Sequence, residues 1–496
     1  MKELDKLREI REKANGIQTK GLPDEVIEKF LNIDPRLSQA IDQALVNFQS
    51  LEQEFPELLK KPELQQIEEV QSGIVNFYAE DAVNPYVAIS AKGSWVVTSC
   101  GAVLHDSGGY GMLGLGHSPD IVLNSMSDQH VMANVMTPNY SHLRLMKRLD
   151  KEIGYRTGKN PYQKVICMNS GSESVTVAAR ISDIKAAKMT SSGGLHEGKR
   201  VKILAFKGGF HGRTDRPAQF SDSSLPKYRE HLKSFKERDN LVTIAPNSIY
   251  ELYQAFAQAE KDGVYFESLF VEPVMGEGNP GVPLDPIFYA EARKLTKAMG
   301  TLLIVDSIQA GLRAHGCLSV VDYPGFDGLE SPDMETFSKA MNAGQYPLSV
   351  LAMTEETAKL YVRGMYGNTM TANPRAIEVA CIVLDNITPD FRRNVSEKGQ
   401  EFIEKFTKLM QKYPDVITKV QGTGLLFSAE ISSDYFDVVG PNGLELFLRK
   451  HGIGVIHGGV NSLRYTPVFD ITSEEIDLIV DLLEFAINNA PRKNRP

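Results

Sequence analysis

Residues 301–306 read Thr301-Leu302-Leu303-Ile304-Val305-Asp306, apolar along the middle and closed by an acid. A half-covered strand alternates apolar and polar residues, whereas a run without alternation marks a strand covered on both faces. The same texture returns at 164–168 (KVICM), 201–206 (VKILAF), 268–272 (SLFVE), 334–338 (METFS) and 348–353 (LSVLAM). Helical or loop sequence separates these runs. Such alternation predicts a mainly parallel α/β sheet between about 163 and 353.

The flanks read differently. Residues 1 to about 70 form a helical preamble, with Leu4, Leu7 and Ile10 on one face and Pro56 and Pro62 breaking the later stretch. A dimer arm or surface helix is expected there. From about 72 to 110 the texture is β, with VAIS and the WVV run around Trp95 separated by Lys92-Gly93-Ser94. Helical patterns follow at about 118–152. After about 375 a long helical tract leads into a smaller α+β unit with strands near 425–431, 453–456 and 462–466. It closes with a helix after Thr472-Ser473-Glu474-Glu475, a capping box. The expected domains are a helical extension (1–72), a first part of a small domain (73–118), a large domain (119–375) and a C-terminal small domain (376–496).

Composition narrows the function classes. Among 496 residues, 42% are hydrophobic and 24% charged, which excludes a disordered or fibrous chain. The 54 Lys and Arg against 63 Asp and Glu give a net charge of −9, so no global basic field recruits nucleic acid or an acidic membrane. The cysteines Cys100, Cys167, Cys317 and Cys381 form no CxxC pair. Free thiols in a reducing cytoplasm are expected rather than a zinc site. No apolar run approaches the ~20 residues of a spanning helix. The first sixteen residues mix both charges and lack the apolar core of a signal peptide; they are also too acidic for a transit peptide. A cytoplasmic protein is expected.

Three motifs carry chemistry, and a fourth imitates one that does. Gly109-Tyr110-Gly111-Met112-Leu113-Gly114 fits the dinucleotide fingerprint GxGxxG, but Leu115-Gly116-His117-Ser118-Pro119 follows where a helix should open. It reads as a decoy. Asn169-Ser170-Gly171-Ser172-Glu173-Ser174 lies between a strand and a helical pattern beginning near Val175. Free N–H groups at a helix start favour an anion, so this is either a phosphate site on Gly171 and Ser172 or an ordinary capped turn. Asp306 ends a buried strand, where open α/β sheets place ligands. A buried acid needs a cationic or donor partner, and a pyridinium nitrogen fits; an N-capping role is the alternative. Lys339 follows the next strand among small residues in SKAMNAG, 338–344. It is either a surface lysine or an amine desolvated and kept nucleophilic.

These pieces occur in order with Phe210-His211-Gly212, EPVMGEG at 272–278 and VDSIQAG at 305–311. Together they resemble the class III (ornithine, 4-aminobutyrate and lysine ε-) aminotransferases, which use pyridoxal 5′-phosphate. LGHSP at 115–119, NTMTANP at 368–374 and LRYTP at 463–467 match as well, and the likeness covers about residues 75–490. It implies an α/β fold of the fold-type I class: a large, mostly parallel mixed sheet domain plus a small α+β domain, in a homodimer with shared sites. It also implies roles. Lys339 matches the Schiff-base lysine and Asp306 the acid facing the pyridine nitrogen. Gln309 matches the partner of the ring hydroxyl and Phe210 the aromatic stacked on the ring. Gly171 and Ser172 match the phosphate turn, and His211 joins the cofactor-binding set. Glu272 matches a buried acid behind the cofactor, and Thr369 the threonine reaching the neighbouring subunit's phosphate. Glu277 and Arg464 match a switch pair that handles substrate carboxylates.

The chain departs from the family's usual pattern at several points. Ser307-Ile308 stand where the family often has Glu-Val, and Met275 where EPxQGE has glutamine. Val175-Thr176 follow the phosphate turn, and Leu312-Arg313-Ala314-His315 replace the frequent FGRT. These changes bear on substrate choice. The activity implied is transfer of an amino group, from the terminal amine of an ω-amino acid or diamine, to a 2-oxo acid such as 2-oxoglutarate, with ping-pong kinetics. A racemase, aminomutase or decarboxylase would use the same fold and cofactor residues. A non-enzymatic scaffold would not need to keep Lys339, Asp306, Gln309 and Thr369 together.

Overall fold

The computed structural model describes residues 2–108, 111–132 and 134–493, so Gly109 and Tyr110 of the decoy motif lie outside the described residues. The chain forms two compact units. One comprises Met1–Leu123, Glu397–Gln421 and Phe427–Pro496; the other comprises Asn124–Ser396 and Gly422–Leu426.

In the first unit, β1 (Ala88–Lys92), β2 (Trp95–Thr98) and β3 (Val103–Asp106) make an antiparallel meander. The N-terminal helices belong to its core. Leu4, Leu7 and Ile10 are buried, as are Leu37, Ile41, Ala44 and Phe48 of the helix Pro35–Glu54. That helix packs on β1 and β2, and its cap Asp34 also accepts the indole N–H of Trp95 at 2.8 Å. The preamble read as an arm or surface helix is therefore tied into this unit by burial and by a buried hydrogen bond.

The second unit is built on one sheet of β4 (Lys164–Met168), β5 (Arg200–Phe206), β6 (Leu241–Ile244), β7 (Val264–Val271), β8 (Leu302–Asp306), β9 (Met334–Phe337) and β10 (Ser349–Met353). The spatial order is β4-β10-β9-β8-β7-β5-β6. β10 runs antiparallel to β4 and β9, and the remaining pairs are parallel. Leu303 and Val305 of β8 pack into one core with Phe206, Phe266 and Phe288. Leu302 and Ile304 pack into a second core, on the opposite face, with Ala178, Ile181 and Phe270. Side chains alternate across a strand, so both faces of β8 are covered, and each buried aliphatic side chain contributes roughly 1.5–3 kcal/mol.

Some boundaries differ from the sequence reading. β6 was not foreseen: it is a short edge strand, half-buried, without a continuous apolar run. β7 begins at Val264, four residues ahead of the expected start. The helix Pro374–Asp385 lies in the second unit although the small domain was expected to resume at 376. Arg148 donates to both Asp385 oxygens (2.9 and 2.6 Å) and Ser141 donates to Glu378 (2.6 Å), which fastens it there.

The rest of the first unit holds most of β11 (Ile417–Thr423) and of β12 (Leu426–Ile431), with β13 (Ile453–Gly454), β14 (Ile456–Gly458) and β15 (Ser462–Tyr465). β13 extends the N-terminal meander by pairing parallel with β3. The others form a sheet in the order β11-β12-β15-β14. The helix Ser473–Asn489 closes the unit with the foreseen capping box of Thr472 and Glu475. Among the described residues no helix is long and apolar enough to cross a membrane.

Candidate active site

The C-terminal ends of β4, β5, β7, β8 and β9 lie on one edge of the large sheet, where such sheets bind ligands. β8 delivers Asp306, which is 5% exposed. Its Oδ2 accepts from His211 Nδ1 at 2.9 Å, and its Oδ1 accepts from Thr336 Oγ1 at 3.0 Å and from the Ile308 N–H at 3.2 Å. A carboxylate offers about four acceptor sites, so one remains for an N–H cation. The local contact with Ile308 is the capping alternative, and it coexists with the other two.

Lys339 follows β9 with φ +41°, in the left-handed region. For a lysine that conformation costs of order 1–3 kcal/mol and points to a site that holds it there. Its Nζ donates to Gln309 Oε1 at 3.2 Å. Gln309 Nε2 reaches the Gly276 carbonyl at 3.4 Å. A Cβ on Gly276 would fall 2.4 Å from Gln309 Oε1, so glycine is required for this approach. Glu272, just after β7, accepts the N–H groups of Phe210 (3.0 Å) and Gly276 (2.9 Å) and so pins both loops. Burial pushes its carboxyl up to about 7.

The helix after β4 begins at Gly171, earlier than the expected Val175, because Ser170 and Glu173 form a capping box. The N–H groups of Gly171 and Ser172 belong to its first turn, where intrahelical partners are absent and the dipole favours an anion. Ser172 Oγ accepts the Arg213 N–H at 3.2 Å. Gly212, with φ +117°, lies so close that a Cβ would fall 2.2 Å from Ser172 Oγ. Phe210 is half-buried with the Arg213 guanidinium 5.3 Å from its ring centre.

The remaining expected residues are Glu277, Thr369 and Arg464. Glu277 is half-buried on the loop that follows Gly276. Thr369 is exposed, and its carbonyl accepts from Asn134 at 3.2 Å. Arg464 belongs to the first unit, buried in β15 opposite Ser428 and Ile456.

The departures from the family pattern have partners. Ser307 donates to Glu335 at 2.5 Å, so the neighbouring strand β9 supplies an acid beside a position where the family often carries its own. Glu335 also accepts from Ser319 (2.5 Å), Tyr162 (2.8 Å) and the Val320 N–H (2.9 Å), and burial pushes it up to about 7 against those bonds. Thr176 donates to the Ser172 carbonyl at 2.7 Å, and Met275 is buried. Thr336, Glu335 and Arg213 were not foreseen. No local signal marks the first two, which meet their partners only through strand register; Arg213 adjoins a recognised motif and could have been found.

A helix start of the kind that favours an anion, a buried acid with one acceptor site to spare, and an amine just after the next strand are groups that pyridoxal 5′-phosphate chemistry uses. The fold and this set define a fold-type I pyridoxal-phosphate-dependent transferase. Residues 77–487 match the family model described as Aminotransferase class-III, and the chain belongs to that family. It is an aminotransferase, and the coenzyme of the family is pyridoxal 5′-phosphate. The chain is 28% identical over 396 residues to the acetylornithine aminotransferase of Prochlorococcus marinus, covering 79% of this chain and 89% of the relative. It is 27% identical over 403 residues to the ornithine aminotransferase of Staphylococcus carnosus, covering 79% and 92%. The ornithine aminotransferase structure from Toxoplasma gondii shares the fold, with a TM-score of 0.72 at 22% identity, over 88% of this chain and 98% of that one.

Proposed function

We propose that this aminotransferase takes the terminal amine of an ω-amino acid and passes it to a 2-oxo acid such as 2-oxoglutarate. The observation that carries the reading is the Lys339 amine on Gln309, three residues beyond the buried Asp306 that ends β8. The names of the relatives, ornithine and acetylornithine aminotransferases, support a donor of that class.

When bound, pyridoxal 5′-phosphate supplies an electron sink and a carrier for the amino group. The chain's own residues do the rest. Gly171 and Ser172 donate backbone N–H groups to the phosphate. Asp306, oriented by His211 and Thr336, holds a proton on the ring nitrogen. Gln309 orients Lys339, whose Nζ takes the proton from the substrate carbon as a general base and, as a general acid, would deliver it to the coenzyme carbon that comes to bear the amino group. Donor and acceptor occupy one site in turn, so the kinetics are ping-pong. Arg464 recognises the α-carboxylate of the 2-oxo acid when Glu277 does not neutralise it.

The enzyme works as a homodimer in which Thr369 of each chain completes the other's phosphate site. Val135, Met136, Tyr140 and Met370 are 61–86% exposed apolar side chains. Val135 and Met136 line a cleft of about 1120 Å³ that Thr369 and Thr371 also line. A patch of this kind marks an association surface. A reducing cytoplasm suits the four free cysteines. A panel of amine donors, each with 2-oxoglutarate or pyruvate as acceptor, tests the reading. Transfer is expected from terminal-amine donors to 2-oxoglutarate, and transfer only from α-amino groups would overturn it.

A further inference from the structure

Glu173 uses its two carboxylate oxygens in opposite directions. Oε2 accepts the N–H groups of Asn169 and Ser170 at 2.9 Å each, closing the start of the phosphate helix. Oε1 faces away and accepts from Tyr366 Oη at 3.1 Å and Asn368 Nδ2 at 2.9 Å. Asn368 in turn spans Thr369: its Oδ1 accepts the Met370 N–H at 3.0 Å and its carbonyl accepts from Thr371 Oγ1 at 2.9 Å. Two turns along the same helix face, Arg180 donates to the Met365 carbonyl at 2.6 Å and lies 6.0 Å from the Tyr366 ring centre. The segment carrying Thr369 is thus fastened to the helix that begins at this chain's own phosphate turn.

We propose that Glu173 is a positioning residue for the neighbouring subunit's site: through Tyr366 and Asn368 it sets the place of Thr369. The inference rests on the reading of Thr369 as acting across the dimer. It follows that filling the phosphate turn of one chain stiffens the segment that serves the other, so coenzyme uptake at the two sites is coupled. Hydrogen bonds to an ionised carboxylate are stronger than neutral ones and directional, which suits them to transmit position.

Subunit-exchanged heterodimers separate the two chains. In each, one chain carries Lys339→Ala, so borohydride can fix coenzyme on Lys339 of the other chain alone. Mass spectrometry of that adduct against coenzyme concentration reads one site without activity. With Glu173→Gln placed on the Lys339→Ala chain, half-saturation at the other chain's Lys339 should need roughly tenfold more coenzyme than in the Lys339→Ala/wild-type control. With Glu173→Gln on the Lys339-bearing chain, the change should be smaller. Tyr366→Phe on the Lys339→Ala chain, which leaves the helix cap untouched, should shift the first curve in the same direction, and it carries the test if the Glu173 variant fails to fold. Loss confined to the dimer with Glu173→Gln beside its own Lys339 would overturn the proposal, leaving Glu173 as a local cap. Thr369→Ala on the Lys339→Ala chain is the control. No loss there would sink the shared-site reading and the inference with it, whereas loss there alone would sink the inference only.

Discussion

Two helices in this chain begin with the same device, a hydroxyl N-cap and a glutamate three residues on: Ser170 with Glu173, and Thr472 with Glu475. In both, Oε2 of the glutamate accepts backbone N–H at the cap. The other oxygen distinguishes them. Glu475 Oε1 meets His105 Nε2 at 3.1 Å with both side chains buried, so that helix start is sealed into the core of the first unit. Glu173 Oε1 meets Tyr366 and Asn368 on a partly exposed segment, and the first-turn N–H groups beside it remain available to an anion. The same capping device thus serves a structural start and, in the reading proposed above, a coenzyme-binding one, and the surroundings of one oxygen atom distinguish them.

The contrast can be broken in several ways. The largest effect is expected beside the functional start. Asp306→Asn removes, nearly isosterically, the charge proposed to face the coenzyme ring, so kcat should fall by several orders of magnitude while coenzyme content, read by absorbance, is mostly kept. Near-normal turnover would reduce the strand-end acid to a structural cap. At the sealed start, Glu475→Gln leaves His105 buried without its carboxylate and should cost about 3–5 kcal/mol in urea unfolding, with coenzyme affinity unchanged.

The same residue sets a pH dependence. Burial opposes ionisation of Glu475, but its bonds and charge interaction with His105 outweigh that and hold it down at about 2 against an ordinary value of 4.5. A group depressed in the folded state stabilises fully above its unfolded value and loses that contribution as pH falls through the folded one. The stability gap between wild type and Glu475→Gln should therefore shrink by about 3 kcal/mol between pH 4.5 and 2. A gap that stays constant over that window would show that the His105 contact does not depend on the charge. The smallest effects come from the caps themselves. Ser170→Ala and Thr472→Ala should each cost about 0.5–2 kcal/mol, but only the former should also weaken coenzyme binding. Equal coenzyme affinity in both variants would erase the distinction between the two starts.

Much of this arrangement was legible beforehand where the signal is local. The strand runs at 164–168, 301–306 and 334–338 and the box at Thr472 are encoded within a few residues each, and all are present. The motif order that marks the family lies along one chain and needs no folding to be read. β6 escaped because an edge strand half-covered by neighbours carries no continuous apolar run. The N-terminal preamble was underestimated because helical periodicity reveals a buried face but not what buries it, here the helix Pro35–Glu54, which itself packs on β1 and β2.

By itself, then, the sequence determined the class of fold, the family, and the residue types at the sheet edge, since periodicity, caps and short motifs are local properties of the chain. Which atoms those residues meet was decided only by tertiary structure. His211 reaches Asp306 across 95 residues, Thr336 reaches it across 30, and Glu335 finds Ser307 from the adjacent strand. Each of these contacts depends on strand order and register, and a shift of one residue turns every side chain to the opposite face. Register is set by the packing of the whole sheet, so no stretch of sequence short enough to read as a motif contains it.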